Sequence, residues 1–417
     1  MRVWSRRLSL AIVGASLVWL IVFASAGPMA AQAGQATPPA RPPASSATAL
    51  TSEQAFKNIQ ALKGIPVDDF MGTMGIMSAA LGFDCSECHT NAGTDKVDWA
   101  LDTPRKRTAR RMVEMVATLN RTSFGGRQVV TCWTCHRGRD RPMITPPMEV
   151  IYGTPAFETD DLVMPAQGRG QASAEQILDK YIQAVGGAQR LSSLTSYIAT
   201  GTSVGFGGFG GEGQVQISAK APDQRAMVIG FKDNPGRDDA VRTFDGRVGW
   251  QRVPLSVLGE YELSGSELDG AKLDAQLSFP GQIKQVLTNW RVGNSTTISD
   301  LPAPSSQSTG QPITMFGQDR DVQVVQGTGP RNTLVTLYFD SASGLLLRMI
   351  RYGNSPIGRV PTQIDYADYR DVGGIKLPFR MTFAWLDGRD AIQLNDVRTN
   401  VPIDAARFGR PAPAKGR

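Results

Sequence analysis

Apolar residues recur at helical spacing in the first third of the chain and at alternating spacing in the second half, which predicts a helical part followed by a sheet. Thr51 and Gln54 stand at capping-box spacing ahead of Phe56, Ile59 and Leu62, so a helix is expected to start there. A second helix is predicted over 66–81, with Pro66 in its first turn, Gly82 just past its end, and Phe70, Met74, Met77 and Leu81 on one face. A third follows Asp102 or Thr103 as cap and Pro104 at its first position, with Ala109, Met112, Val116 and Leu119 as its buried stripe. Ser173 caps a further helix running to Val185 and stopped by Gly186 and Gly187. Beyond it the period becomes two, as in 213–218, 333–339, 345–352 and 375–385, with turn residues such as 341–344 between neighbours.

The fold class expected is therefore α+β in two domains: a mainly helical domain over 51–150, then an antiparallel β domain with a packed helix over 173–410. The stretch 151–172, rich in Pro, Gly, Asp and Gln, reads as the linker between them. Residues 34–50 form a Pro/Ala linker. Ahead of it, Arg2, Arg6 and Arg7 precede an apolar run over 8–26 and then Ala31-Gln32-Ala33. This reads as a secretory signal peptide over 1–33, cleaved after Ala33. The run also approaches bilayer-spanning length, so an uncleaved anchor is the alternative. Either way the remainder is placed in the periplasm by the positive-inside bias.

A net charge of +6 over 417 residues, with interspersed signs and no basic stripe alternating with aromatics, excludes a nucleic-acid partner. The chain holds four Cys and two His, and all six fall in Cys85-Ser-Glu-Cys88-His89 and Cys132-Trp-Thr-Cys135-His136. Both match the c-type haem attachment pattern, in which two thiols on one turn add to the vinyl groups of one porphyrin and the adjacent His meets the iron. Two covalently bound haem c groups are expected, with His89 and His136 as proximal ligands. A structural zinc or two local disulfides are the alternatives, and neither accounts for a His directly after each pair.

With both His committed, a second axial ligand from His is excluded within the chain, leaving Met, a weaker donor, or an open position. For the first haem the preceding helix offers Met71, Met74 and Met77. For the second, the helix from Pro104 offers Met115 and Met112, with Met143 and Met148 downstream. Thioether ligation raises the reduction potential relative to bis-His ligation. Arg105, Arg110 and Arg111 are candidates for pairing with propionates, against the alternative of a solvated basic face.

Met74 through His89, with Trp99, Thr103-Pro104, Arg111-Met112-Val113, Leu119-Asn120 and Cys132 through Gly138, resembles the cytochrome subunit of photosynthetic reaction centres, specifically its C-terminal haem pair. The resemblance covers roughly 51–150. It implies an electron-transfer protein without a catalytic site of its own, serving other electron-transfer proteins or a membrane redox complex. It also implies an axial Met at the position of Met74. The family's last haem takes its sixth ligand from a His elsewhere in a four-haem subunit, and this chain has no such His. Two haems and a large unrelated extension do not by themselves imply a photosynthetic role.

More faintly, 177–187, 244–250 and 368–378 resemble the outer-membrane lipoprotein carrier (LolA-like) fold, an unclosed antiparallel barrel over a helix. That resemblance implies a concave face able to take a lipid or quinone, set against a simply packed core. From Ala172 to Arg417 there is no His and no Cys, which excludes a Ser-His-Asp site, a Cys nucleophile and a His-ligated metal there. The rival functions are a haem enzyme or gas sensor with one open iron, and a lipophile carrier fused to a cytochrome.

Overall fold

The computed structural model describes residues 50–413 apart from 95, 143, 147, 149–169, 206–211, 232–236, 255–257 and 300–318. The signal segment, nearly all of the Pro/Ala linker and most of the 151–172 linker lie outside these residues, as does Met143.

Helix α1 spans Ser52–Ala55 under the expected Thr51–Gln54 capping box. It is shorter than the apolar spacing suggests, because Asn58 and Leu62 turn into the left-handed region at φ 60° and 62°. Helix α2 spans Val67–Leu81, with Pro66 as N-cap and Gly82 as a left-handed C-cap at φ 66°. Helix α3 spans Pro104–Ser123, and Thr103 accepts from the Lys106 N–H as its cap. Its buried residues are Val113, Val116 and Asn120 rather than the stripe ending at Leu119. The helix is rotated because Asn120 is drawn inward: its side chain donates to the Val130 carbonyl at 2.7 Å and accepts from the Val129 and Val130 N–H groups. Helix α4 spans Cys132–His136.

After the linker, Ser173 and Gln176 form a capping box for α5, Ala174–Ala184, and α6 follows at Ala188–Ser192. Strands β1 (Ser196–Val204), β2 (Glu212–Lys220), β3 (Gln224–Gly230), β4 (Ala240–Phe244), β5 (Gly249–Arg252) and β6 (Glu260–Glu262) form a meander. Helices α7 (Gly265–Leu277) and α8 (Ile283–Val286) then carry the chain to β7 (Thr288–Val292) and β8 (Thr296–Ser299). A second meander comprises β9 (Asp319–Thr328), β10 (Leu334–Asp340), β11 (Leu346–Ser355), β12 (Gly358–Val372), β13 (Ile375–Trp385) and β14 (Gly388–Thr399).

The described strands form one sheet in the order β6-β5-β4-β3-β2-β1-β14-β13-β12-β11-β10-β9-β7, with β8 also on β9. First and last strands meet antiparallel in its middle, Tyr197 opposite Thr399 and Val204 opposite Ala391. The sheet stays open, with β6 at one edge and β7 at the other, and α7 and α8 connect them. Ile177, Leu178, Tyr181 and Ile182 of α5 share a core with Leu273, Phe279 and Ile283 and with Val335, Leu337, Phe339 and Met349 of the sheet. Each such side chain contributes about 1.5–3 kcal/mol by burial. The expected α+β architecture, helices first and a large antiparallel sheet after, is what the chain adopts.

Two further ties position the cysteine-bearing segment. Gly72 packs against Val360, Gly75 against Leu386 and Asp387, and Thr73 Oγ1 donates to Ser355 Oγ at 3.0 Å. Thus α2 lies on the tips of the β11–β12 and β13–β14 hairpins. At its other end, Asp68 accepts from Ser264 N at 2.8 Å and Ser264 Oγ at 3.1 Å, and Asp69 accepts from Ser266 N at 3.4 Å. The first turn of α2 therefore caps α7 from outside, and Ser264, the N-cap residue of α7, makes no side-chain cap of its own.

Burial pushes the Asp68 pKa up to about 6, against the pull of the Ser264 N–H, and the nearby Glu267 adds to the rise while Tyr261 and Arg242 oppose it. A carboxyl raised in the folded state contributes most below its ordinary value of 3.8, and that contribution is lost as pH rises through about 6. Between roughly pH 5 and 7, above the range where Glu267 titrates, stability is expected to fall with rising pH by about 1 kcal/mol from this group. Urea midpoints across that window should show the slope in wild type and a flatter one in Asp68→Asn; equal slopes would remove Asp68 as the cause.

Candidate haem-binding site

Each motif sits on a short turn with its own cap. The Asp84 carboxylate accepts from the Ser86 N–H at 2.7 Å and fixes the turn Cys85–Glu87, after which the His89 N–H bonds the Cys85 carbonyl at 2.9 Å. Thr131 and Thr134 form a capping box over α4. Both turns therefore present two cysteines and the following His on one compact unit, as vinyl attachment beside an axial imidazole requires.

The donor chemistry fits an iron porphyrin. His136 Nδ1 pairs with the Arg139 carbonyl at 2.9 Å, which leaves Nε2 as the free lone pair. His89 stands edge-on to Trp99, with ring centroids 5.0 Å apart. Its Nδ1 is buried, and the Trp99 carbonyl accepts from Lys106 Nζ at 2.7 Å. Burial first, and Lys106 second, push the His89 pKa down to about 4 against the pull of the Trp99 backbone, so the imidazole is neutral at pH 7. Burial also raises the thiols of Cys85, Cys88 and Cys132 above the ordinary value. Among the described residues no three His, Cys, Asp or Glu side chains converge, so the two Cys pairs do not share a tetrahedral site.

The apolar surface has a matching distribution. Among the described residues every exposed large apolar side chain lies between residues 50 and 148, including Trp99, Leu101, Met115, Leu119, Val129 and Trp133. The described part of the sheet has none. Apolar surface gathered on one segment marks where an apolar body is to be covered.

The two motifs are locked together through backbone. The Gly138 N–H, just after the second motif, bonds the Ala80 carbonyl at 2.9 Å. A Cβ on Gly82, just before the first motif, would overlap the Gly138 carbonyl oxygen. Thr103 Oγ1 also donates to the Cys88 carbonyl at 3.0 Å, so the cap of α3 is pinned to the first motif.

The methionines occupy different surroundings. Met77 joins an apolar cluster with Ile76, Val113, Cys132, Ile357, Val360 and Leu386, while Met74 is half-buried outside that cluster and Met71 is exposed. On α3, Met112 is half-buried and Met115 exposed, with Leu119 exposed one turn on. The sequence pattern does not reveal the sheet's share. Ile357 and Leu386 come from hairpin tips, the Cys132 N–H bonds the Ile357 carbonyl at 3.4 Å, and the Asp387 carboxylate acts on Cys85. Nothing local in the sequence marks those tips as part of a site.

Residues 23–161 match the photosynthetic reaction centre cytochrome C subunit family. The matched span takes in all four cysteines and both histidines. The photosynthetic reaction center cytochrome c subunit of Thermochromatium tepidum is 31% identical over 105 residues, 24% of this chain and 25% of that protein. The chain thus spans about a quarter of the length of that reaction-centre cytochrome. The sheet is similar to a LolA superfamily protein from Nitrosomonas europaea, at 14% identity and a TM-score of 0.37, covering 58% of this chain and 99% of that one. A DUF1329 family protein from Desulfovibrio piger matches at 11% identity and a TM-score of 0.36, covering 57% and 98%. These two likenesses concern the fold alone. No helix among the described residues is long and apolar enough to cross a membrane; the apolar run over 8–26 lies outside them.

Proposed function

We propose that this chain is an exported dihaem c-type cytochrome that passes electrons between redox partners. Cys85 and Cys88 hold one haem, Cys132 and Cys135 the other, and His89 and His136 are the proximal ligands. A haem held there would supply one-electron ferric–ferrous redox chemistry. Met74 is the sixth ligand of the first. Met115 or Met112 serves the second, because Met115 and Leu119 are exposed and Met112 is half-buried on a stripe of α3 apart from the buried Val113 and Val116. The observation that carries the reading is His136, whose Nδ1 is engaged by the Arg139 carbonyl so that Nε2 is free to bind iron. Protein made in cells competent for cytochrome maturation should carry two haems by pyridine haemochrome and intact mass. Cys85→Ala with Cys88→Ala, and Cys132→Ala with Cys135→Ala, should each remove one. Colourless wild-type protein would end the proposal.

Charge suggests the kind of partner. Residues 104–142 carry ten Arg and Lys against Glu114 and Asp140. Arg105, Arg107 and Arg110 are engaged with Glu87 and Asp102, whereas Arg111, Arg121, Arg127, Arg137, Arg139 and Arg141 are exposed without an ion pair among the described residues. Four haem propionates would leave this surface positive, which favours an acidic redox partner. Oxidation of the reduced protein by ferricyanide should slow as ionic strength rises, and oxidation by hexaammineruthenium(III) should quicken. The reverse pair of trends would count against an acidic partner.

A further inference from the structure

The sheet holds a feature that electron transfer does not use. Beside the C-terminal end of α7 lies a cavity of about 80 Å³, walled by Tyr181, Tyr197, Tyr366 and Tyr369 together with Arg225 and Asp274. One water needs ~10–15 Å³, so this space takes a small organic body rather than a single solvent molecule. Leu277, Leu346, Ile364, Met381 and Phe383 make the rest of the lining largely apolar.

Arg225 is the anomaly. It lies in β3 at 8% exposure, and among the described residues its guanidinium has neither an ion pair nor a hydrogen bond. A guanidinium that faces an apolar and aromatic space without a partner favours a counter-anion there. Asp274 shares the wall with its Oδ1 buried and without a hydrogen bond, lies beyond ion-pair distance of Arg225, and acts electrostatically on the buried Arg242. The exposed Lys376 also lines the cavity and adds a second positive charge. Positive charge is therefore in excess around an aromatic space.

The phenols complete the chemistry. Tyr369 donates to the Leu346 carbonyl at 2.7 Å, while the hydroxyls of Tyr181, Tyr197 and Tyr366 make no hydrogen bond among the described residues. Burial raises the pKa of Tyr181, Tyr366 and Tyr369, so they remain protonated donors at any ordinary pH.

We propose that this cavity binds a small monocarboxylate with a ring-sized apolar body, its carboxylate paired with Arg225 and its body held among the tyrosines. Lost pairing with a buried charge discriminates strongly, so an acid should bind far better than its uncharged analogue. The test is equilibrium dialysis of radiolabelled benzoate and benzyl alcohol against the full-length, haem-loaded protein at pH 7. Benzoate is expected to bind at least ten-fold more tightly than benzyl alcohol, and Arg225→Met to abolish the difference while keeping both haems. Equal binding of acid and alcohol by wild type, or no benzoate binding, overturns the proposal without recourse to the variant. Benzoate binding undiminished in Arg225→Met overturns it as well. Haem content and benzoate binding are read separately, so neither result stands in for the other.

Discussion

Gly82→Ala is expected to lose at least about 3 kcal/mol of stability and much of the haem content of the protein. Two penalties fall on one residue. Gly82 holds φ 66° as the C-cap of α2, a conformation that costs a side-chain-bearing residue roughly 1–2 kcal/mol. A Cβ there also overlaps the Gly138 carbonyl oxygen, and backbone cannot yield as a flexible side chain does. The Gly138–Ala80 hydrogen bond that joins the two motifs would be strained by any retreat. Gly93 supplies the control, since it holds φ 85° with nothing within 4 Å of where a methyl group would stand, so Gly93→Ala meets only the conformational cost. Chemical denaturation with haem quantitation compares the two. Equal losses at both sites would show that the approach of Gly82 to Gly138 contributes nothing.

Glu267→Gln should be nearly as damaging, at about 3 kcal/mol. Glu267 lies in the first turn of α7 and pairs with Arg242 at 2.8 Å and with both terminal guanidinium nitrogens of Arg351 at 3.1 Å. Arg351 is only 4% exposed, and a Cβ on Gly270 would overlap its guanidinium, so it has no alternative site in water. Removing the carboxylate leaves two enclosed cations facing each other. Burial alone would raise the Glu267 pKa, but Arg351 and then Arg242 outweigh it and hold the carboxyl far below its usual range. For a carboxyl lowered in this way, the stabilisation is present above its ordinary 4.5 and is lost as pH falls below it. Lys284→Ala, which breaks a more exposed pair with Asp179 at 2.5 Å, should change stability by less than about 1 kcal/mol. A loss for Glu267→Gln no greater than that of Lys284→Ala would mean the network is no more than surface charge.

What could be read from the sequence was what is fixed locally. Thr103 with Pro104, Ser173, and Gly82 each specify a helix end through their own backbone preferences, and the structure uses all of them. The two Cys-x-x-Cys-His turns were legible for the same reason, since each is defined by spacing within one turn. Helix α7 went unread although Ser264 and Glu267 stand at capping-box spacing, because Gly270 and Asp274 break up its apolar stripe. Its cap comes from Asp68, nearly two hundred residues earlier. Likewise the buried face of α2 contains Asp68 and Thr73, which are polar and read as solvated. The start of α7 encloses Asp68 and a hairpin tip encloses Thr73, both far along the chain. Met112 and Met115 could not be ranked because the rotation of α3 is set by the grip of Asn120 on the following loop.

The seating of α2 and α4 on the ends of two hairpins makes the pigment a gauge of the sheet. Ile357 and Leu386 belong to hairpins with no chemistry of their own, yet they form part of the packing around Met77 and Cys132. Fraying at those hairpin ends would loosen the protein around a chromophore that absorbs visible light. On the proposed function, the integrity of a colourless sheet can be followed by eye in the hue of the solution.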